Sequence, residues 1–198
     1  TPINKLFAEI TLHNPIYQQV STSRKKMADQ MEQWFAGGWV DNRETLISVD
    51  AGTGKTAGAI QAALKTFIET RIPGRPLVFS FPDHRLAEEK RAEIERAASE
   101  IGATLNIKVF KGREQIEANG IAMCENIEQA KEVQAAGMSA SEYLCNGKNG
   151  NCPYRFNCPY VKQMQTNADI WLITHASLMI NKPKNIGLPQ FLIIDEPT

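Results

Sequence analysis

The chain has 198 residues, enough for one large domain, or one domain with a smaller insertion, to bury a sizeable core. With 42% hydrophobic and 22% charged residues, its composition argues against disorder, and no apolar run reaches the length of a membrane span. Lys and Arg number 22 and Asp and Glu 22, so no overall basic field advertises nucleic acid, and any such contact has to come from local patches.

The amino end carries no basic and apolar leader, which makes a cytoplasmic setting the expectation. Beginning at Thr1 without methionine and stopping at Thr198, the chain reads as a fragment or a trimmed piece of a longer protein. Trp34, Phe35 and Trp39 read as packing residues of a leading helix. Thr45–Val49 is a short apolar, β-branched run, and Ala57, Ile60, Leu64, Phe67 and Ile68 follow at helical spacing. That is strand, loop, helix.

The loop between them, Ser48–Thr56, reads SVDAGTGKT. The common phosphate loop is G-x-x-x-x-G-K-[ST], and Val49 stands where its first glycine belongs, so this is a variant. Such loops work because successive backbone N–H groups converge on phosphate oxygens at a helix N-terminus, where glycine allows close approach. Gly52, Thr53, Gly54, Lys55 and Thr56 form the expected nest, with Lys55 reaching the β and γ phosphates and Thr56 binding Mg²⁺.

Leu77–Phe81 reads as a buried strand, Asp83 as the N-cap of a charged helix with Leu86, Ile94 and Ile101 as its apolar face, and Gly102 as its stop. Leu105–Phe110, Ile170–Thr174 and Phe191–Ile194 are further strand candidates. Their alternation with helices predicts a doubly wound α/β core on a parallel sheet. The last strand runs into Asp195 and Glu196. Beside a phosphate loop, Asp195 is placed to hold the Mg²⁺ shell and Glu196 to orient or deprotonate the attacking water.

Between about residues 112 and 165 the alternation fails, and all four cysteines gather there: Cys124, Cys145, Cys152 and Cys158, separated by 20, 6 and 5 residues. A cytoplasmic protein has little use for disulfides, so clustering favours a metal over free buried thiols. The spacing lacks the tight C-x2-C knuckles of structural zinc, and four thiolates also suit an iron–sulfur cluster. Zinc and iron–sulfur both stay open. His175, at a strand end, reads as a hydrogen-bonded structural residue.

A GTGKT loop, a four-cysteine insertion and an Asp-Glu strand end, in that order, resemble the iron–sulfur superfamily 2 DNA helicases of the XPD and DinG group. Asp50–Thr56 resembles their motif I, Lys111-Gly-Arg113 the KGR ahead of the first cysteine, Cys145–Tyr160 the cluster loop with its Cys-Pro-Tyr texture, and Ala168–Leu178 the strand and NHALL segment after it. The likeness covers roughly residues 20 to 198. It departs in three places: Cys124 lies far from Lys111-Gly-Arg113, Arg24 stands where the adenine-reading glutamine falls, and Asp195-Glu-Pro-Thr198 lacks the histidine of a DEAH-type box.

The resemblance implies a RecA-like P-loop domain, in two parts at 1–111 and 166–198, interrupted by a four-cysteine subdomain at 112–165, with a second motor domain outside this chain. It implies ATP and Mg²⁺ at Gly52, Thr53, Gly54, Lys55, Thr56 and Asp195, with Lys55 and Glu196 catalytic. A 4Fe–4S cluster on Cys124, Cys145, Cys152 and Cys158 is implied too, with zinc as the alternative, and single-stranded or forked DNA as partner. Ser80 and Arg85 are expected along the DNA path. Tyr154, Arg155, Phe156 and Tyr160 either grip the strand or pack around the cluster. Two other readings stand beside it: a DinG-like ATPase of a mobile element or CRISPR system with a degenerate cluster domain, and a zinc-stabilised binding module with a vestigial nucleotide site.

Overall fold

A computed structural model describes residues 20–38, 54–117, 119–145, 152–179 and 184–195. The chain divides into two compact units, Thr1–Glu69 with Thr198, and Thr70–Pro197. The predicted strand Thr45–Val49 and Trp39 lie outside the described residues.

In the first unit, helix α1 (Val20–Gln33) runs into a π-helical turn at Trp34–Gly38 and packs against helix α2 (Lys55–Glu69). Contact between the helices is close at Gly58, where an added Cβ would meet Met31 Sδ at 3.4 Å and Met27 Cε at 3.5 Å. Ile60, Ala63, Leu64 and Phe67 are the buried stripe of α2. The predicted stripe was right at Ile60, Leu64 and Phe67, whereas Ala57 and Ile68 are exposed and Ala63 takes the inner position. Phe35 is buried and meets Trp34 edge to face at 4.9 Å, in line with their expected packing role.

The second unit is built on a four-stranded sheet, all parallel, in the order β2-β3-β1-β4, with β1 Leu77–Phe81, β2 Ile107–Val109, β3 Ile170–Thr174 and β4 Phe191–Ile194. The α/β class and parallel sheet expected from the sequence are therefore present. Central strands β1 and β3 are buried along their whole length, which is why they read as continuous apolar runs rather than alternating ones. β2 is shorter than Leu105–Phe110: Leu105 is half-buried outside it, and the N–H of the exposed Asn106 turns to the Asp169 carboxylate at 2.9 Å.

Helix α3 (His84–Glu100) packs on β1, β2 and β3. Asp83 caps it as predicted, its Oδ1 accepting from Leu86 N at 2.8 Å. Gly102, at φ 73°, ends it with paired bonds from Gly102 N to Ser99 O and from Ala103 N to Ala98 O, the Schellman pattern. The inner face is Ala87, Ile94 and Ala98, not Leu86 and Ile101; Ile101 is 53% exposed. Small alanines on either side of Ile94 let the helix lie close to the sheet, and a pattern built on large residues overlooks them.

Among the described residues between β2 and β3 the chain forms no paired strand, only an isolated bridge of Ile116 with Ala122. It carries helix α4 (Ile127–Ala135), a π-helical turn Ser141–Cys145 and the short helix α5 (Pro159–Met164). Ala130, Val133, Ala140 and Leu144 form its own small core, with Cys145 against it. Tyr160 and Met164 join it to the sheet by packing on Val78, Phe110, Trp171, Ile173 and Ile186. After β3 come helix α6 (His175–Met179) and a 3-10 turn at Lys184–Ile186. Among the described residues no helix is long and apolar enough to cross a membrane.

Candidate functional site

Of the predicted phosphate-binding residues, Gly54, Lys55 and Thr56 are described, while Gly52 and Thr53 lie outside the described residues. Gly54 adopts φ 87°, a left-handed conformation that favours glycine, and its carbonyl accepts from Gly58 N at 2.9 Å, so the first turn of α2 starts directly at it. Lys55 and Thr56 stand half-buried in that turn. The helix has 15 residues, and the positive end of its dipole falls where a phosphate would sit.

Asp195 follows β4 in the second unit, half-buried, and its N–H donates to Ser80 O at 2.9 Å. That bond extends the β4–β1 pairing by one residue and fixes the backbone of the carboxylate at the carboxyl end of the sheet, where open α/β sheets bind ligands. Glu196 lies outside the described residues.

Ser80 does not line a surface path, contrary to expectation. It is fully buried in β1, and its Oγ hydrogen-bonds His175 Nδ1 at 2.8 Å. Both faces of β1 are covered, so Ser80 is enclosed with its neighbours, and the imidazole is its partner. His175 is thus the hydrogen-bonded strand-end residue it was expected to be. Arg85 is exposed and pairs with Glu89 at 2.7 Å.

All four cysteines are free thiols, with Cys124 and Cys158 buried and Cys145 and Cys152 partly so. Two residues organise them. Arg113 Nη2 donates to Ser141 Oγ at 2.7 Å and reaches Cys145 Sγ at 3.7 Å, while the guanidinium lies 4.0 Å from the centroid of the Tyr160 ring. Asn126 Nδ2 reaches Cys152 Sγ at 3.9 Å. Cys158 Sγ donates to Met123 O at 3.4 Å.

Burial pushes the Cys124 thiol up, and the neighbouring Cys158 and Cys145 push it further, against the opposing pull of the Asn126 N–H and Arg113. Burial opposes the charge on Arg113, but Tyr160, Cys145 and Cys124 outweigh it and raise the guanidinium above its ordinary value. Among the described residues no carboxylate pairs with Arg113, and no three His, Cys, Asp or Glu side chains stand together at metal-holding separations. Cys145 thus neighbours Arg113, Cys152 neighbours Asn126 and Cys158 turns to Met123, so the thiols are not ligands closed on one point. Their chemistry still fits a thiolate-bound metal: soft sulfur donors, partly buried, with N–H groups directed at them.

The segment is tied to the sheet by polar contacts. Gln163 on α5 accepts from Lys111 N at 2.9 Å and donates to Lys111 O at 3.0 Å, imitating a strand partner at the end of β2. Lys111 Nζ pairs with Glu88 of α3 at 3.1 Å. A cavity of about 570 Å³ opens beside these contacts, with Lys108, Lys111 and Lys162 facing Glu88, Glu117 and Glu125, so its walls carry both signs of charge.

The aromatic candidates divide. Tyr160 is packing, edge to face with Phe110 at 6.2 Å, whereas Phe156 is 87% exposed and Tyr154 and Arg155 are exposed beside it. Sequence reasoning did not identify Asn126, and took Arg113 only as part of a motif. Arg113 had no signal beyond that motif, since Lys131, Lys148, Arg155 and Lys162 share the segment; Asn126 had none beyond its place two residues after Cys124. Comparison of the chain with protein-family models, with curated proteins and with solved structures found no match.

Proposed function

We propose that the chain is the first, RecA-like motor domain of an ATP-dependent DNA helicase of the XPD and DinG group, bearing a 4Fe–4S cluster in the segment between β2 and β3. The observation that carries this reading is the gathering of four free cysteines in that segment, in a chain that also has a GKT-type helix start and a strand ending in Asp195. The parallel α/β sheet is compatible with it.

In this reading the backbone N–H groups at the start of α2 bind phosphate oxygens, and Lys55 holds charge on the β and γ phosphates. Thr56 and Asp195 would hold the magnesium, which when bound offsets the negative charge of the phosphoryl group being transferred. Glu196 orients the attacking water and takes its proton as the bond to the leaving diphosphate breaks. Cys124, Cys145, Cys152 and Cys158 would hold the cluster, which cross-links the segment when bound. Phe156 and Tyr154, with Arg155, offer stacking faces and a cation to the bases and backbone of single-stranded DNA.

The test is DNA-stimulated ATP hydrolysis by the protein with both motor domains, comparing wild type with Lys55→Ala. The expected result is loss of turnover with an unchanged fold; undiminished turnover would refute the nucleotide site. Iron and acid-labile sulfide at near-stoichiometric amounts in anaerobically purified protein support the cluster. The four thiols suit zinc equally as donors. Zinc without sulfide would favour the binding module instead.

A further inference from the structure

Independently of the nucleotide and cysteine readings, we propose that the free edge of β2 is a docking groove for an extended peptide segment of a partner protein. The segment carries both an acidic and a basic side chain and adds to the sheet as a further strand.

Among the described residues β2 pairs with β3 alone. In a parallel ladder a residue turns both of its backbone groups to one neighbour, and the residues before and after it turn theirs the other way. Asn106 O accepts from Ile170 N at 3.2 Å and Phe110 N donates to Leu172 O at 2.8 Å, so Asn106, Lys108 and Phe110 face β3, while Ile107 and Val109 face outward. Among the described residues no hydrogen bond from another segment meets the outward N–H and C=O of these two. Lys111 is the next outward residue, and there the side-chain amide of Gln163 takes both bonds, at 2.9 and 3.0 Å. The edge thus already holds one amide, and the rung beside it is open.

That rung borders the cavity of about 570 Å³, a volume within the range of ligand pockets, about 300–1,000 Å³. Lys108 and Val109 both line it, and since successive side chains of a strand leave on opposite faces, an opening that meets both lies along the edge. Of the charges on its walls, Glu88 is engaged by Lys111 at 3.1 Å and by Arg91 at 3.6 Å, whereas Lys108, Lys162, Glu117 and Glu125 make no ion pair among the described residues. Cations and carboxylates left over together call for an occupant of both signs; a nucleic acid, anionic throughout, meets repulsion from Glu117 and Glu125.

Trp171 also lines the cavity, and its buried Nε1 has no acceptor among the described residues. A peptide backbone flanked by acidic and basic side chains supplies donors and acceptors for the rung and partners for the charges. Strand addition divides its work in this way, main-chain bonds giving affinity and side-chain contacts giving choice.

The first measurement needs no ligand. Hydrogen exchange of the full chain should find the Lys108 and Phe110 amides protected and the Val109 amide open; equal protection of all three would overturn the free edge. The full chain is then used to select from a displayed library of random short peptides. Binders are expected to carry acidic and basic side chains together and to slow exchange at Val109. Val109→Pro removes an outward N–H, which an edge strand tolerates, and should weaken the selected peptides about tenfold or more while Lys108 and Phe110 stay protected.

A library that yields no binder, or binders that Val109→Pro leaves unaffected, would refute the proposal. Selection of acidic peptides alone, displaced by inorganic phosphate, would refute it too and mark an anion site instead. Should Val109→Pro fail to fold, Lys162→Glu decides, because Lys162 is exposed on α5 and its reversal should turn the selection toward basic peptides. An unchanged selection would overturn the proposal.

Discussion

β1 and β3 bury every residue they contain, with Trp171, Phe79, Phe81 and Leu172 among the fully enclosed side chains. Among the described residues, the segment between β2 and β3 closes four, Ala130, Val133, Ala140 and Leu144, into a core of its own. It is further held by side-chain bonds, some to backbone, Gln163 to Lys111 and Asn185 Nδ2 to the carbonyls of Gln163 and Thr166 at 2.9 Å each, and some to other side chains, the Arg113 and Asn126 contacts. Apolar burial is non-directional and tolerates exchange of similar volumes, whereas a bond to a backbone amide depends on one side chain. The sheet can hold itself together; the cysteine segment relies on a few specific bonds and gains most from a cross-link.

The strongest blow to the comparison falls on the sheet. Trp171→Ala, at a position 1% exposed, should cost about 3–5 kcal/mol and lower the melting temperature of the second unit as a whole. A loss confined to the cysteine segment would contradict the division of labour drawn above. Next in size, Gln163→Leu leaves the Lys111 N–H and C=O without this partner and should cost about 1–3 kcal/mol. Hydrogen exchange should speed up in 112–165 and leave β1 and β3 protected; equal acceleration in both regions would break the comparison.

On the sheet side again, Asp83→Ala removes the α3 cap and should cost about 1 kcal/mol, read by denaturant titration as a lower midpoint at unchanged slope. The smallest effect concerns pH. His84, at the start of α3, is held below its ordinary value first by burial and then by Lys111, despite the opposing pull of Glu88 and Asp83. The unfolded chain therefore binds its proton first as pH falls. Stability should decline as pH drops below the ordinary histidine value of 6.5 toward the lower folded value, and His84→Gln should flatten that slope. An unchanged slope would mean that His84 gains its proton equally in both states.

Much of the sheet was legible because its strands are short apolar runs bounded by turn residues, and three of the strand candidates coincide with β1, β3 and β4. The helix α3 boundaries were legible for the same local reason: Asp83 and Gly102 act on their own turns. Its buried face was not, since Ala87 and Ala98 carry no hydrophobic signature and acquire importance only against a strand. Ser80 shows the limit most plainly. The family resemblance placed it on a DNA path, and only the covering of both faces of β1, with His175 hydrogen-bonded to it from the end of β3, makes it an interior residue.

By itself the sequence determined what depends on neighbours in the chain: the alternation of strands and helices, the cap and stop of α3, the glycine at the start of α2, and the gathering of four cysteines in one window. The tertiary structure decided what depends on residues far apart. It set the strand order β2-β3-β1-β4, the enclosure of Ser80, the clamp of Gln163 on Lys111, and the placement of Arg113 and Asn126 among the thiols. Those contacts join residues dozens of positions apart, and which polar group meets which sulfur is fixed only when the packing of Tyr160 and Met164 against the sheet brings the segment to rest.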